Sequence, residues 1–274
     1  MLALALVLSG VDGRGQSALS VNALSLQPGE VVVLTLAGVD AARPIRVRAF
    51  GRLVSLYRDG DAWKAVIGID LDTKPGLYHA IVEPGGEPVE LKVAPKAFRT
   101  RRLSVNEAFV TPPASAEARI AREAEMMAEA WRHSAPEHLW RSGFVRPVPH
   151  EANSAFGTRS IFNGKPRNPH GGADFLSPAG TTVAAPAAGR VVIAQDLYYS
   201  GNTVIIDHGL GVFSMFAHLS RIDVRPGTSI AAGDRVGLVG ATGRVTGPHL
   251  HWAVRINDAR VDPLSLLRVL GVAK

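Results

Sequence analysis

Residues 247–256 read GPHLHWAVRI, a turn signal followed by a β-type pattern that carries two histidines. The pair Gly247-Pro248 marks a turn, and from His249 onwards apolar side chains alternate with other residues, which predicts a strand. His249 and His251 are two residues apart, so on a strand both imidazoles project from one face, whereas a helix would point them nearly opposite ways. We therefore expect two histidines on the same face of a sheet.

A second pair of potential metal ligands lies upstream, in the stretch HGGAD at residues 170–174. His170 and Asp174 are four apart, which places them on one face of a strand or a helix, and the glycines between them and the following Pro178 favour an extended segment. Zinc binds imidazole nitrogen and carboxylate oxygen, and a catalytic zinc site keeps three protein ligands and one water. The two stretches together predict a Zn²⁺ cofactor and hydrolysis by a metal-activated water.

The amino-acid composition indicates the class of protein and its possible partners. The 274 residues are 46% hydrophobic, which indicates a globular chain, and the net charge of +6 suits an anionic partner such as a cell wall or membrane surface. Lys and Arg are scattered and no nucleic-acid-binding motif accompanies them, so we expect no nucleic acid partner. The absence of cysteine excludes disulfides and thiolate metal ligands.

The amino-terminal segment is a short apolar run, residues 2–8, followed by a Gly- and Ser-rich stretch. Residues 1–18 are predicted to be the remnant of a signal segment, although no basic residue precedes the run, and a first strand is the alternative. The run is too short to span a bilayer and no other stretch reaches transmembrane length, so we expect no membrane span.

Residues 19–100 alternate short apolar runs with turn signals such as Pro28-Gly29, Asp59-Gly60 and Pro75-Gly76. Short strands at this regular spacing predict an N-terminal β-sandwich, an accessory domain without clustered catalytic residues. The predicted strands are 31–36, 45–50, 63–69, 77–82 and 89–93.

Residues 101–140 are predicted to be a helical connector. Pro112-Pro113 ends the strand pattern, and Ser115 is expected to cap a helix that runs from Ala116 to about His133. The Met pair in this helix, residues 126–127, is predicted to pack in a core.

Residues 141–274 become rich in β-type runs and glycine again, which makes the fold class mainly β with a C-terminal antiparallel sheet. Five of the nine histidines lie between His170 and His251, so the predicted site belongs to this region alone. His208 follows one predicted strand and precedes a glycine, which favours a role in a hairpin turn. The predicted strands lie around 183 and at 191–194, 203–206, 212–216, 236–239 and 252–256.

Three motifs, in this order, resemble the signature of the lysostaphin-type zinc metallopeptidases: HGGAD at 170–174, FAHLS at 216–220 and GPHLH at 247–251. The resemblance is strong from Arg141 to Pro263. In the amino-terminal half it extends only to the domain architecture. It implies a zinc peptidase domain with an open groove, preceded by an accessory β domain. The sequence departs from the pattern at Phe216, where relatives often carry Tyr.

The resemblance implies roles for individual residues. His170, Asp174 and His251 match the metal ligands, His249 matches the catalytic histidine of the last motif, and His218 matches the histidine that lines the cleft. With no H-E-x-x-H glutamate in the sequence, His249 is the candidate general base, and His218 is expected to stabilise the oxyanion of the intermediate.

The resemblance also implies a substrate and a cellular location. Family members cleave peptide cross-links of bacterial peptidoglycan, so we expect an exported, periplasmic or cell-wall-associated endopeptidase. Arg159, Arg167 and Arg244 are candidates for binding substrate carboxylates. The alternatives are a catalytically inactive wall-binding or amidase-activating scaffold, and a hydrolase of free peptides with a closed pocket.

Overall fold

The computed structural model describes residues 5–6, 19–38, 45–105, 107, 110–153 and 155–272. Its amino-terminal half is a sandwich of two antiparallel sheets, with strand orders β1-β2-β3-β7-β6 and β5-β4-β8-β9. The strands are β1 (Ala5–Leu6), β2 (Leu19–Ala23), β3 (Val31–Leu36), β4 (Arg46–Ala49), β5 (Arg52–Ser55), β6 (Tyr57–Asp59), β7 (Ala62–Gly68), β8 (Gly76–Glu83) and β9 (Val89–Val93).

The sandwich encloses its own apolar core. Leu34 from one sheet and Val47 and Leu91 from the other are fully buried between the sheets, as the alternating pattern of these strands requires. Of the predicted signal remnant, only β1 is described, and it pairs with Val21 and Asn22 of β2; the rest of residues 1–18 lies outside the described part of the chain.

The predicted connector contains a strand and a helix, β10 (Thr100–Leu103) and α1 (Ala114–Arg132). The predicted cap was wrong: the helix begins at Ala114, Pro113 occupies the cap position, and Ser115 lies within the first turn. Proline fits a helix start because it lacks the N–H that would stay unpaired there.

Helix α1 lies against the outer face of the C-terminal sheet. Met126 and Met127 pack against Phe213 there, as predicted for the Met pair, and the Trp131 ring meets the Phe213 ring edge-on at 5.3 Å. The helix therefore covers apolar surface of the sheet as well as linking two regions of the chain.

The C-terminal half is built on a nine-stranded antiparallel sheet. Its central path is β13-β20-β17-β16-β15-β18, with β14, β19 and β21 paired at its sides, while β11 and β12 join β10 in a separate three-stranded sheet. The strands are β11 (Arg159–Phe162), β12 (Lys165–Pro166), β13 (Gly172–Phe175), β14 (Thr182–Ala184), β15 (Gly189–Leu197), β16 (Gly201–Asp207), β17 (Val212–Ile222), β18 (Ser229–Ile230), β19 (Arg235–Val239), β20 (Leu250–Ile256) and β21 (Ala259–Val261).

A second helix, α2 (Pro263–Leu270), follows β21 and was not anticipated from the sequence. Asp262 caps it by accepting a hydrogen bond from the Leu264 N–H at 2.9 Å, and Pro263 opens its first turn. Neither this helix nor α1 combines the length and the apolar composition needed to cross a membrane, and no other helix is described.

The two halves of the chain share apolar contacts. Val31, Val33 and Val66 of the sandwich belong to the same buried cluster as Val254 and Val261 of the C-terminal sheet. The faces of β3 and β7 that point away from the sandwich core therefore cover one end of the larger sheet.

Candidate metal centre and active site

Three potential metal ligands converge where β13 and β20 run side by side. Asp174 of β13 lies opposite His251 of β20, and His170 lies in the extended segment just before β13. His170 Nε2 is 3.0 Å and His251 Nδ1 is 2.9 Å from the same Asp174 oxygen, Oδ1. One ligand atom from each residue lies within 4.8 Å of the others, so all three can face a single ion.

The protonation of these groups suits metal binding. Burial opposes ionisation of Asp174, but the hydrogen bonds from His170 and His251 outweigh it and hold the pKa of Asp174 far below its usual range. Burial lowers the pKa of His251, which favours the neutral imidazole. A metal site needs an ionised carboxylate and neutral imidazoles, and the pKa shifts of Asp174 and His251 favour these states.

His249 lies beside the cluster, one residue before β20. Its backbone forms a bridge with Gly240, and its Nδ1 lies 2.9 Å from the Gly247 carbonyl, which fixes Nδ1 as the protonated nitrogen. The other nitrogen, Nε2, lies 3.8 Å from Asp174 Oδ1. His249 therefore presents Nε2 to the centre of the cluster.

His218 reaches the cluster from a β-bulge in β17. Between the pairs Val204–Phe216 and Asn202–Leu219, two residues of β17 face one of β16, and His218 is the second of the two. Its φ of 64° lies in the left-handed region, which non-glycine residues rarely adopt and which is concentrated at functional sites.

The side chain of His218 is positioned by a hydrogen bond and by contacts with two neighbouring imidazole rings. Its Nδ1 lies 2.9 Å from the Thr242 carbonyl, and its ring centroid is 5.0 Å from that of His249 and 6.1 Å from that of His251. Burial lowers the pKa of His218 to about 4, so the ring is neutral at neutral pH, with its proton on Nδ1. Its Nε2 is therefore a hydrogen-bond acceptor in this state.

Sequence reasoning missed Gly172, the first residue of β13. A Cβ on Gly172 would lie 2.8 Å from His251 Nε2 and 2.5 Å from the Trp252 carbonyl oxygen, so no side chain fits. Its cross-strand partner is Ala253. The signal that could have found it is a glycine two residues before a metal ligand within a predicted extended segment.

The three candidate substrate-binding arginines lie in different surroundings. Arg159 is exposed, and its guanidinium forms an ion pair with Asp72 in the loop after β7. Arg167 and Arg244 are half-buried, on the loop that leads to His170 and on the loop that precedes His249, respectively.

Two other residues that the sequence singled out, His208 and Phe216, are fully buried and contribute to the packing of the fold. His208 is fully buried in the turn between β16 and β17, with Nδ1 2.9 Å from the Ala188 carbonyl and Nε2 2.9 Å from Ser214 Oγ. Phe216 is fully buried in the core of the larger sheet, opposite Trp252. The ring of Phe216 therefore packs in the core, where a tyrosine hydroxyl would need a buried partner.

Residues 168–263, which include the cluster and His218 and His249, match Peptidase family M23. The segment is 43% identical over 96 residues to the peptidoglycan DD-endopeptidase ShyA of Vibrio cholerae serotype O1. It is 42% identical over 97 residues to the DD-carboxypeptidase/endopeptidase Mpg of Neisseria meningitidis serogroup B. Each match covers 35% of this chain and only 22% of the relative.

A comparison that spans both halves is with the crystal structure of a peptidase M23 from Pseudomonas aeruginosa. The two chains superpose with a TM-score of 0.70 at 36% identity, over 91% of this chain and 96% of the other. Nearly the whole length is therefore shared, including the amino-terminal sandwich. The chain belongs to peptidase family M23.

Proposed function

We propose that this peptidase is a zinc-dependent endopeptidase that hydrolyses peptide cross-links of bacterial peptidoglycan. The observation that carries the proposal is the convergence of His170, Asp174 and His251 on one point, with His218 and His249 beside it. The substrate is inferred from the relatives ShyA and Mpg, whose names describe peptidoglycan DD-endopeptidase and DD-carboxypeptidase/endopeptidase activities.

The donor set supports zinc as the metal. Two imidazole nitrogens and one carboxylate oxygen form a typical catalytic zinc triad, and the chain has no cysteine that could close the fourth position. When bound, zinc lowers the pKa of a coordinated water and polarises the carbonyl of the scissile bond. The roughly one-fifth exposure of the His170 and Asp174 side chains leaves the cluster accessible to a substrate.

His249 is the proposed general base. Because the Gly247 carbonyl fixes the proton on Nδ1, the lone pair of Nε2 is available to take a proton from the attacking water. The same nitrogen then carries the proton that the leaving amine needs. His249 lies next to the three proposed ligands and is not one of them. One coordination position of the metal would therefore remain for water.

His218 is proposed to stabilise the oxyanion of the tetrahedral intermediate. Its Nδ1–H is engaged with the Thr242 carbonyl, so donation to the oxyanion requires a second proton on Nε2. Burial makes that proton unfavourable in the resting site, whereas the negative charge of an oxyanion favours it. The strained backbone at His218 supports a role that depends on exact placement of this ring.

The proposed place of action is outside the cytoplasm, at the cell wall or in the periplasm. The net charge of +6 suits an anionic wall polymer, and the relative ShyA is named as a peptidoglycan endopeptidase. We propose the division 19–100, 101–140 and 141–274 for the accessory sandwich, connector and peptidase region. The sandwich core, which is separate from the core of the larger sheet, supports it.

Digestion of purified sacculi tests the function. Wild-type protein with Zn²⁺ is expected to release muropeptides with cleaved cross-links, and His251→Ala is expected to release none. The exposed His79 on β8 provides the control, because His79→Ala should digest sacculi like wild type. If the wild-type protein released nothing, the non-catalytic scaffold would replace the peptidase as its function.

A further inference from the structure

Thr242 forms hydrogen bonds with two neighbouring residues of β17, one through its backbone and one through its side chain. Its carbonyl faces His218 Nδ1 at 2.9 Å, and its hydroxyl donates to the Leu219 carbonyl at 2.8 Å. Leu219 directly follows His218, at the end of the bulge that turns His218 toward the cluster. Thr242 is therefore bonded both to the ring of His218 and to the backbone next to it.

The hydroxyl of Thr242 is oriented from two strands. Its Oγ1 accepts a hydrogen bond from the Asn202 backbone N–H at 2.9 Å while it donates to the Leu219 carbonyl. The Asn202 side chain donates from Nδ2 to the same carbonyl at 3.0 Å. A hydroxyl has one proton to donate and lone pairs to accept, and both functions are used here. The hydroxyl thus ties residue 242 to β16 and β17 at the position where Asn202 faces Leu219.

Close backbone packing supports the same segment. A Cβ on Gly201 would lie 2.3 Å from the Thr242 carbonyl carbon, and a Cβ on Gly243 would lie 2.3 Å from the Gly201 nitrogen. The backbones of the two segments therefore meet with no side chain between them. The His218 N–H also donates to this hairpin, to the Ser200 carbonyl at 2.8 Å. Because the hairpin between β15 and β16 contacts both Thr242 and His218, it fixes one relative to the other.

We propose that Thr242 is a positioning residue, whose carbonyl fixes the ring orientation and the proton position of His218 and whose hydroxyl keeps that carbonyl in place. The catalytic consequence rests on the proposed function, in which His218 stabilises the oxyanion. A neutral imidazole carries its proton on either nitrogen, and the hydrogen-bond partner of one nitrogen decides which. A carbonyl only accepts hydrogen bonds, so the Thr242 carbonyl holds the proton on Nδ1 and leaves the lone pair on Nε2.

Thr242→Val tests the hydroxyl, because it replaces that group with a methyl group and leaves the Asn202 N–H without its partner. We expect kcat for cross-linked peptides to fall by about tenfold to a hundredfold, as for a misplaced catalytic group. KM and zinc content should stay close to wild type, since the oxyanion forms only during the reaction. Thr242→Ser keeps the hydroxyl and should restore most of kcat.

Thr181→Val is the matched control. It removes a hydroxyl that donates to the Pro178 carbonyl at 2.7 Å, just before β14, so it costs a similar hydrogen bond without touching the contacts of His218. Its kcat should equal that of the wild-type protein.

Nitrogen-15 NMR of the imidazole rings gives a readout that does not depend on activity. In the zinc-loaded proteins it reports which nitrogen of His218 carries the proton. Wild type and Thr242→Ser are expected to show Nδ1 protonated, and Thr242→Val a mixture of the two tautomers.

Unchanged kcat in Thr242→Val, or an equal loss in Thr242→Val and Thr242→Ser, would overturn the positioning role. Loss of zinc from Thr242→Val would also overturn it, because the residue would then support the metal centre and not His218. If the wild-type protein cleaved no cross-linked peptide, the proposed function would fail and the tautomers alone would decide. A mixture in Thr242→Val would then support the positioning of His218, and the wild-type tautomer would overturn it.

Discussion

Gly172 shows how closely the candidate metal centre depends on a single residue. Replacement by alanine would place a methyl group 2.8 Å from His251 Nε2, so the His251 ring or the strand that carries residue 172 must shift. We expect Gly172→Ala to weaken zinc binding by about tenfold to a hundredfold, as changes that displace ligands do. Competition with a chromogenic chelator measures the affinity.

The neighbouring Gly171 is the matched control, because a Cβ there would meet nothing within 4 Å. Gly171→Ala should bind zinc like wild type. Equal affinities for all three proteins would show that Gly172 does not position His251.

At the same scale, spacing explains why some site residues are predictable. His170 and Asp174, and His249 and His251, are close in sequence, so the period of an extended chain is enough to place each pair on one face. His218 was found only through the family resemblance, because a bulge of one extra residue turns it toward the cluster. A bulge depends on pairing with β16, which local sequence does not encode.

Among the elements, β21 and the loop after β7 are joined by the ion pair of Arg260 and Asp70. Arg260 donates from two guanidinium nitrogens, at 2.7 and 3.1 Å, and from its backbone N–H at 2.9 Å. Burial raises the pKa of Asp70, but these interactions with Arg260 outweigh it and leave the pKa below its ordinary value. A carboxyl group with a lowered pKa in the folded state stabilises the fold only while it is ionised.

Asp70→Asn is therefore expected to lower the free energy of unfolding at pH 7 by about 2 kcal/mol, the loss of charge-assisted hydrogen bonds. The stabilisation is complete above the unfolded pKa of about 3.9 and is lost as pH falls through the lower folded pKa. Urea unfolding at pH 7 and at lower pH should show the gap between the two proteins closing on acidification. The exposed Asp61, in the turn before β7, gives the control Asp61→Asn; a gap that widens in acid would contradict the account.

Strands were easier to predict than helix ends. The strands at 31–36 and 89–93 were predicted with the observed bounds, because their apolar alternation is long and is punctuated by turns. Helix α1 was found but its cap was misplaced, since Ser115 is a better cap by residue type than Pro113, which occupies the cap position. Helix α2 has only eight residues, too few for its period to stand out against the strands before it.

For the whole molecule, the apolar cluster that the outer faces of β3 and β7 share with the larger sheet makes the sandwich a structural part of the peptidase. Gly68 lies so close to the larger sheet that a Cβ there would be 2.6 Å from Val261 Cγ1. The Val31 N–H donates to Ser265 Oγ at 3.0 Å, and Ser265 donates to the buried Glu30 at 2.7 Å. Polar and apolar contacts both join the halves.

A fragment of residues 101–274, which keeps α1 on the larger sheet, would expose the apolar surface that β3 and β7 cover. We expect it to melt at least several degrees below the full chain, the shift that a loss of a few kcal/mol gives, and to bind a hydrophobic dye that the full chain does not bind. Thermal unfolding followed by circular dichroism measures the difference. Equal melting temperatures without dye binding would show that the sandwich contributes nothing to the stability of the peptidase region.

We propose a division of roles in which His251 holds the metal whereas His249, two residues away, moves protons. Zinc content per chain and cross-link hydrolysis, measured together on His249→Ala and His251→Ala, test it most directly. We expect His249→Ala to retain one zinc and to lose activity by about a hundredfold or more, as the loss of a general base does, and His251→Ala to lose both zinc and activity. Zinc lost from His249→Ala, or retained with full affinity by His251→Ala, would contradict it.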